Sequence, residues 1–202
     1  MRLDFSELPA VEGYRWLTAT VTPRPIAWVS TRSAEGIDNL APFSFFQVVC
    51  DEPPTLMVSI SRRDGDEPKD TLLNLRDNGE LVVQLVGHAQ AEAMNASSAS
   101  LPRGVSEFER FGIATTSSER VKPLRVVGAP VAFECRVAEI KPYPAQRPTH
   151  HLVFAEVLLA HIDDGVLADA RHADAARLDL VGRMGGSLYA TTRDTFAMIR
   201  PK

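Results

Sequence analysis

From Thr55 to Ser61 apolar and polar positions alternate without a break: Leu56, Val58 and Ile60 on one side, Thr55, Met57, Ser59 and Ser61 on the other. A period of two predicts a strand with one buried face, and it puts Ser59 and Ser61 together on the opposite face, where both are candidates to meet a ligand. Val131, Phe133, Cys135 and Val137 alternate in the same way with Ala132, Glu134, Arg136 and Ala138, which reads as a half-buried antiparallel strand. Leu152 to Ile162 is apolar on both faces and is expected to be central, with a turn at Asp163-Asp164-Gly165. Glu80 to Val86 is a further strand. Residues 22–31 and 39–46 are strand-like and joined by the polar turn Ser33 to Asp38.

Helical signals are fewer. Residues 10–17 and 89–97 read as short helices, and Ala96 to Ser100 as the loop that follows the second. Asp66-Glu67-Pro68-Lys69-Asp70-Thr71 reads as a helix start with Asp66 capping and Pro68 in the first turn. Leu72, Leu73 and Leu75 then supply the buried side, and Asn78-Gly79 ends the helix. Many strands, few helices and no regular βαβ alternation argue for a mainly β barrel rather than a doubly wound sheet. Pro23 and Pro25 cannot donate to a ladder, so the start of the first strand is expected at a sheet edge or bulge, features that often border sites.

The 202 residues are expected to form one domain, 1–202, with a real core. A net charge of −4 offers no electrostatic case for nucleic acid. No apolar run is long enough to cross a bilayer, and the acids in Met1 to Glu7 do not suit a signal peptide, so a cytoplasmic protein is expected. Cys50 and Cys135 are far apart and read as buried reduced thiols, with no metal site.

Candidate chemistry gathers in two stretches. Arg62, Lys69 and Thr71, beside a helix start at Asp70, carry what a phosphate needs: charge-assisted donors and free backbone N–H groups. Asp64, Asp66, Glu67 and Asp70 surround these cations and repel a phosphate unless they point away. Asn39 to Phe46 combines small residues, a hydroxyl and aromatic rings, which suits the faces and edges of a planar aromatic cofactor. By alternation Phe43 and Phe45 share a face and Phe46 takes the other, so at least one is expected in the core. His150 and His151 precede the central strand, and the better expectation for each is no role; His88, His161 and His172 are isolated. Gly182-Arg183-Met184-Gly185-Gly186 lacks the strand–turn–helix context of a dinucleotide fingerprint, and no G-x-S-x-G elbow is present.

The segments TPRPIAWVST, NLAPFSFF, PPTLMVSI with KDTLLNL, SEFERFGI and GRMGGSLY occur in an order that resembles the flavin reductase-like family, the FMN-binding split-barrel proteins that include flavoredoxin-type members. The resemblance runs from about residue 10 to the end. It implies a split β-barrel, bound FMN and a homodimer. It also implies that Ser59, Ser61, Arg62, Lys69, Asp70 and Thr71 lie at the phosphate, that Asn39, Ala41, Ser44 and Phe45 line the flavin ring, that Tyr189 stacks near it, and that Arg24 lies at the flavin or the dimer interface. The implied activity is electron transfer from NAD(P)H through FMN to a flavin or another small-molecule acceptor, with no side chain required as nucleophile or strong base. The alternatives are an FMN-bound electron carrier without its own reductase activity, and a split barrel that binds haem or another ligand. In Leu81 to Leu85, Gln84 stands where many relatives are expected to have asparagine.

Overall fold

The computed structural model describes residues 1–63 and 66–201. After α1 (Ala10–Thr20) the chain enters β1 (Arg24–Pro25), β2 (Ala27–Arg32), β3 (Asp38–Phe43), β4 (Phe46–Asp51) and β5 (Pro54–Ser61). Then come α2 (Asp70–Asn78), β6 (Glu80–Leu85), α3 (Ala91–Ala96), α4 (Glu107–Phe111), β7 (Thr115–Thr116) and β8 (Arg125–Val126). Two long strands follow, β9 (Val131–Tyr143) and β10 (His150–Ile162), and then β11 (Leu167–Asp169), β12 (His172–Ala173), α5 (Ala175–Leu178), β13 (Val181–Arg183) and β14 (Tyr189–Thr191). Among the described residues one antiparallel sheet of seven strands runs β3-β2-β6-β9-β10-β5-β4, and β3 also touches β5 across its concave side. This is the mainly β, split-barrel architecture expected from the sequence.

Inside the curled sheet, Val29, Leu56, Val58, Ile60, Leu72, Leu75, Leu81, Val83, Val153 and Ala155 form the main core. A second core lies on the other face of β2 and β3, where Ile26, Trp28 and Leu40 pack with Met94, Phe108 and Val181. β2 is therefore buried on both faces, which is why Ile26 to Val29 is apolar without alternation. Gln84 fits this double burial: its amide donates to Trp28 O and its oxygen accepts from the Val126 N–H. The longer side chain thus finds two backbone partners where an asparagine was expected.

Several expectations need correction. α1 continues to Thr20 rather than ending at 17, with the Thr18 and Thr20 hydroxyls bonding back to Tyr14 O and Trp16 O. Asp66 does not cap α2; it has φ 71° and pairs with Arg62 at 2.6 Å, and the helix starts at Asp70, beyond Pro68. Asp64 lies outside the described residues. Leu73 is half-buried, while Thr71 and Asn74 point inward instead, because the polar Thr31 and Asn39 of β2 and β3 lie beneath the helix. Gly79 does end α2, with φ 69° and its N–H on Leu75 O. The second helix divides into a 3-10 turn at His88–Gln90 and α3.

The chain bends at Ser44-Phe45, between β3 and β4, and this breaks the alternation assumed there. Phe43 and Phe46 both enter the core, and Phe45 stacks on His150. Cys50 is exposed on the edge strand β4, whereas burial pushes the Cys135 thiol up to about 12. β9 is buried on both faces over Val131 and Ala132 and again at Glu134 and Cys135. Glu134, expected to face solvent, is fully buried, and His161 is its partner rather than an isolated side chain. The carboxylate accepts from the N–H groups of Glu119, Arg120 and Val121 and meets His161 Nε2 at 2.6 Å. It pins the loop before β8 onto the sheet. No helix among the described residues is long and apolar enough to cross a membrane.

Candidate functional site

Among the described residues no side chain caps α2 where it opens onto a cleft. Its N-cap residue is Lys69, whose side chain bonds to no N–H of the first turn, so that turn presents its N–H groups and the positive end of the helix dipole outward. Lys69 stands over the Phe43 ring at 5.5 Å and adds its own charge. Asp70, the acid of the first turn, is turned toward Arg63 and Arg103, which pair with its two oxygens at 2.5 and 3.3 Å. Asp66 is likewise held by Arg62. Two of the four acids expected to repel a phosphate, Asp66 and Asp70, are thus answered by their own cations.

Beneath the seat lies a buried polar network, in which Asn74 Oδ1 has no partner among the described residues. The Asn39 amide donates to Thr71 Oγ1 at 3.0 Å and to Thr31 Oγ1 at 3.4 Å, and Asn74 donates to Thr31 Oγ1 at 3.1 Å. Thr71 is buried, so its side chain positions the helix start rather than reaching far into the cleft. Glu107 on α4 accepts from the Leu40 N–H at 2.8 Å, which removes that donor from the backbone groups a ring might use. Burial pushes the Glu107 carboxyl up, against the backbone bonds that lower it.

The cleft has two connected parts. One is walled by Asn39, Ala41, Lys69, Thr71 and the loop Ser97–Ser100. The other is walled by Phe43, Ser44, Asn95, Arg183 and Tyr189, and the two share Pro42 and Ser98. Sequence reasoning named Asn39, Ala41, Ser44, Lys69, Asp70, Thr71 and Tyr189, and the structure brings these along one groove. It missed Arg63, Arg183 and the serine loop. The run Ala96-Ser97-Ser98-Ala99-Ser100 was a usable signal, since small hydroxyl residues after a helix let a ligand approach the backbone closely. Ser97 is held by accepting from Trp28 Nε1 and donating to Met94 O.

Other named residues lie elsewhere. Ser59 and Ser61 share the outer face of β5 as predicted, with Ser61 opposite His150. Phe45 sits between Tyr14 and His150 on that side. Arg62 does not line the groove described above. Arg24 is neither exposed nor flexible: it is 8% exposed and donates to Thr18 O, Val21 O, Met184 O and Ser44 Oγ. It ties α1, β13 and the bend at Ser44 together. His151 is buried, and its Nε2 meets Arg76 Nη2 at 2.9 Å. A guanidinium only donates, so Nε2 accepts and Nδ1 carries the proton. Burial, then Arg76, Arg62 and His150, lower the His151 pKa and keep the ring neutral near pH 7. Burial and Lys69 lower that of His150. Among the described residues no group of His, Cys, Asp and Glu is arranged to hold a metal.

The donor set fits a flavin mononucleotide. An open helix N-terminus with a lysine suits one phosphate, the small residues suit a ribityl chain, and the part bounded by Phe43 and Tyr189 suits a ring. Comparison with known proteins agrees with this fit. The family described as flavin reductase like domain matches residues 19–177. A protein of Deinococcus radiodurans whose function is uncharacterized is 42% identical over 204 residues, covering 98% of this chain and 88% of its own. The FMN reductase (NADH) RutF of Stutzerimonas stutzeri is 31% identical over 143 residues, covering 70% of this chain and 75% of its own. The crystal structure of nitrilotriacetate monooxygenase component B from Bacillus cereus superposes with a TM-score of 0.93 at 29% identity, covering 98% of both chains.

Proposed function

We propose that this chain, which belongs to the flavin reductase like domain family, binds FMN in the groove and serves as an oxidoreductase that takes electrons from NAD(P)H and passes them to a flavin or another small acceptor. The observation that carries this reading is the uncapped start of α2 beside Lys69, opening on the same groove as Ser44 and Tyr189. Lys69 and the first-turn N–H groups hold the phosphate. Asn39 and Thr71 fix the helix start beneath it, and Ala41, Pro42 and Ser98 leave room for the chain between phosphate and ring. Ser44, with Arg24 behind it, orients the ring end. When bound, FMN supplies a ring that accepts a hydride and passes electrons on, while the protein binds, orients and tunes it. The named reductase relative supports NAD(P)H as donor. We place the protein in the cytoplasm and read residues 1–202 as one domain.

Mixing the FMN-loaded protein with NADH or NADPH in a stopped-flow instrument tests the activity: the flavin absorbance bleaches rapidly. Reduction by a partner protein alone would favour the electron carrier. The same experiment addresses His151. It is held neutral against Arg76, lies outside the groove, and has no part in hydride transfer, so positioning carries the rate. His151→Ala is expected to leave the reduction rate within roughly tenfold of the parent, about 1.4 kcal/mol in the barrier. Nearly complete loss of reduction in a variant that keeps its flavin would contradict this.

A homodimer completes the proposal. Val11, Tyr14, Leu17 and Val21 expose an apolar stripe along and just past α1, and Val48 and Val49 do so on the edge strand β4. Each is a candidate for coverage by a second copy. Sedimentation at micromolar concentration is expected to give about twice the chain mass. A monomer with full flavin occupancy would contradict it.

A further inference from the structure

Two arginines face each other at the ring end of the groove. β1 and β13 pair antiparallel with Arg24 directly opposite Arg183. Directly opposed residues leave a sheet on the same face, and like charges so placed destabilise it. Neither guanidinium pairs with a carboxylate among the described residues. Arg24 spends its donors on three carbonyls and on Ser44 Oγ, so its charge stays in place without a counter-ion. Burial lowers its pKa first, and Arg183 lowers it further.

Arg183 is different. It donates one N–H to Gly186 O, lies over the Tyr189 ring at 4.6 Å, and lines the groove with no other hydrogen bond among the described residues. Around it stand Ile26, Phe43 and Met94, which are apolar, with Ser44 and Asn95 at the edge. Tyr189 OH is steadied by Asn95 Oδ1 at 3.3 Å. A cation with donors to spare, set beside apolar walls, matches a planar ring that bears one carboxylate. A phosphate dianion has its better seat at the other end, on α2.

We propose that Arg183, at the Tyr189 end of the groove, makes a binding seat for an aromatic carboxylate, which docks against the open face of the bound flavin ring with its carboxylate on Arg183. This rests on the flavin reading given above and names the class of small molecule that the same site takes. Arg24 contributes through its field and through Ser44; Arg183 makes the contact.

The test titrates the FMN-loaded protein with benzoate, with the isosteric neutral benzamide and with acetate, read by calorimetry and by the flavin spectrum. FMN content is measured first, so a parent protein that takes up no FMN sinks the flavin reading before any benzoate is added, and the seat with it. With FMN bound, benzoate is expected to bind at least about tenfold tighter than benzamide or acetate. Arg183→Met is expected to erase the preference over benzamide, and Arg183→Lys to keep part of it. Equal binding of benzoate and benzamide by the parent, which needs no variant to fold, would overturn the proposal. So would a preference that survives Arg183→Met. An unchanged preference with a lowered flavin potential in Arg183→Met would assign the charge to the reduced flavin instead, and overturn it as well.

Discussion

Lys69→Ala is expected to weaken FMN binding by roughly 10- to 150-fold while riboflavin binding changes little, the equivalent of about 1.5–3 kcal/mol for a charge-assisted bond. Riboflavin has the ring and the ribityl chain but no phosphate, so the comparison isolates the seat on α2. Lys69 also stands over the Phe43 ring, and any loss through that contact falls on both ligands equally. Arg62→Ala is the control. Arg62 is turned to Asp66 outside the groove, so its removal is expected to cost FMN far less. Isothermal titration of both ligands against each variant measures this. Equal losses of FMN and riboflavin in Lys69→Ala would mean that the lysine supports the fold and not the phosphate.

Glu134→Ala is expected to destabilise the fold by about 3–5 kcal/mol, the range for breaking a buried charge interaction, while FMN affinity stays near that of the parent. The substitution strands three N–H groups of the 119–121 loop and the His161 ring that the carboxylate now satisfies. Glu134 also makes stability fall in acid. Burial alone would raise its pKa, but the bonds from the Glu119 N–H, His161 and the Arg120 N–H leave it below the ordinary glutamate value. A carboxyl lowered in the folded state stabilises fully above its unfolded pKa and loses that contribution as pH falls through its folded one. The loss therefore lies below roughly pH 4.3, the unperturbed glutamate value. Urea denaturation at pH 7 and across this acid range checks both statements. A Glu134→Ala protein as stable as the parent would show that the loop does not depend on the carboxylate.

The strands were legible where burial is one-sided. Thr55 to Ser61 alternates because only one face of β5 meets the core. Leu152 to Ile162 lies between β9 and β5, central as expected, but its burial alternates: Val153 and Ala155 are buried while Leu152 and Phe154 are half-buried. Glu134 misled because a polar residue in an alternating strand normally marks solvent; what buries it is a loop some fifteen residues earlier in the chain, which local pattern does not reveal. The cap at Asp66 misled for a related reason. Residue type allowed it, but the helix starts only after Lys69, and Asp66 pairs with Arg62 instead.

For the site, residue types and order brought Lys69, Thr71, Asn39 and Ser44 to attention, and the structure adds how they divide the work. Thr71 and Asn39 hold each other beneath the groove, and Lys69 stands at its rim. Arg183 escaped notice because its meaning depends on pairing with Arg24, 159 residues away in the chain, which only the register of β1 on β13 shows. Arg24 was expected at the flavin or the dimer interface. Its four bonds make it the buried tie between α1, the bend at Ser44 and the turn after β13.

One measurement bears most directly on the central claim that this groove holds a mononucleotide flavin. The purified protein, reconstituted with flavin if it is colourless, is denatured, and the released cofactor is identified by mass and counted against protein. A single phosphate seat on α2 predicts FMN at about one molecule per chain. Stoichiometric FAD, or no flavin retained even after reconstitution, would contradict it.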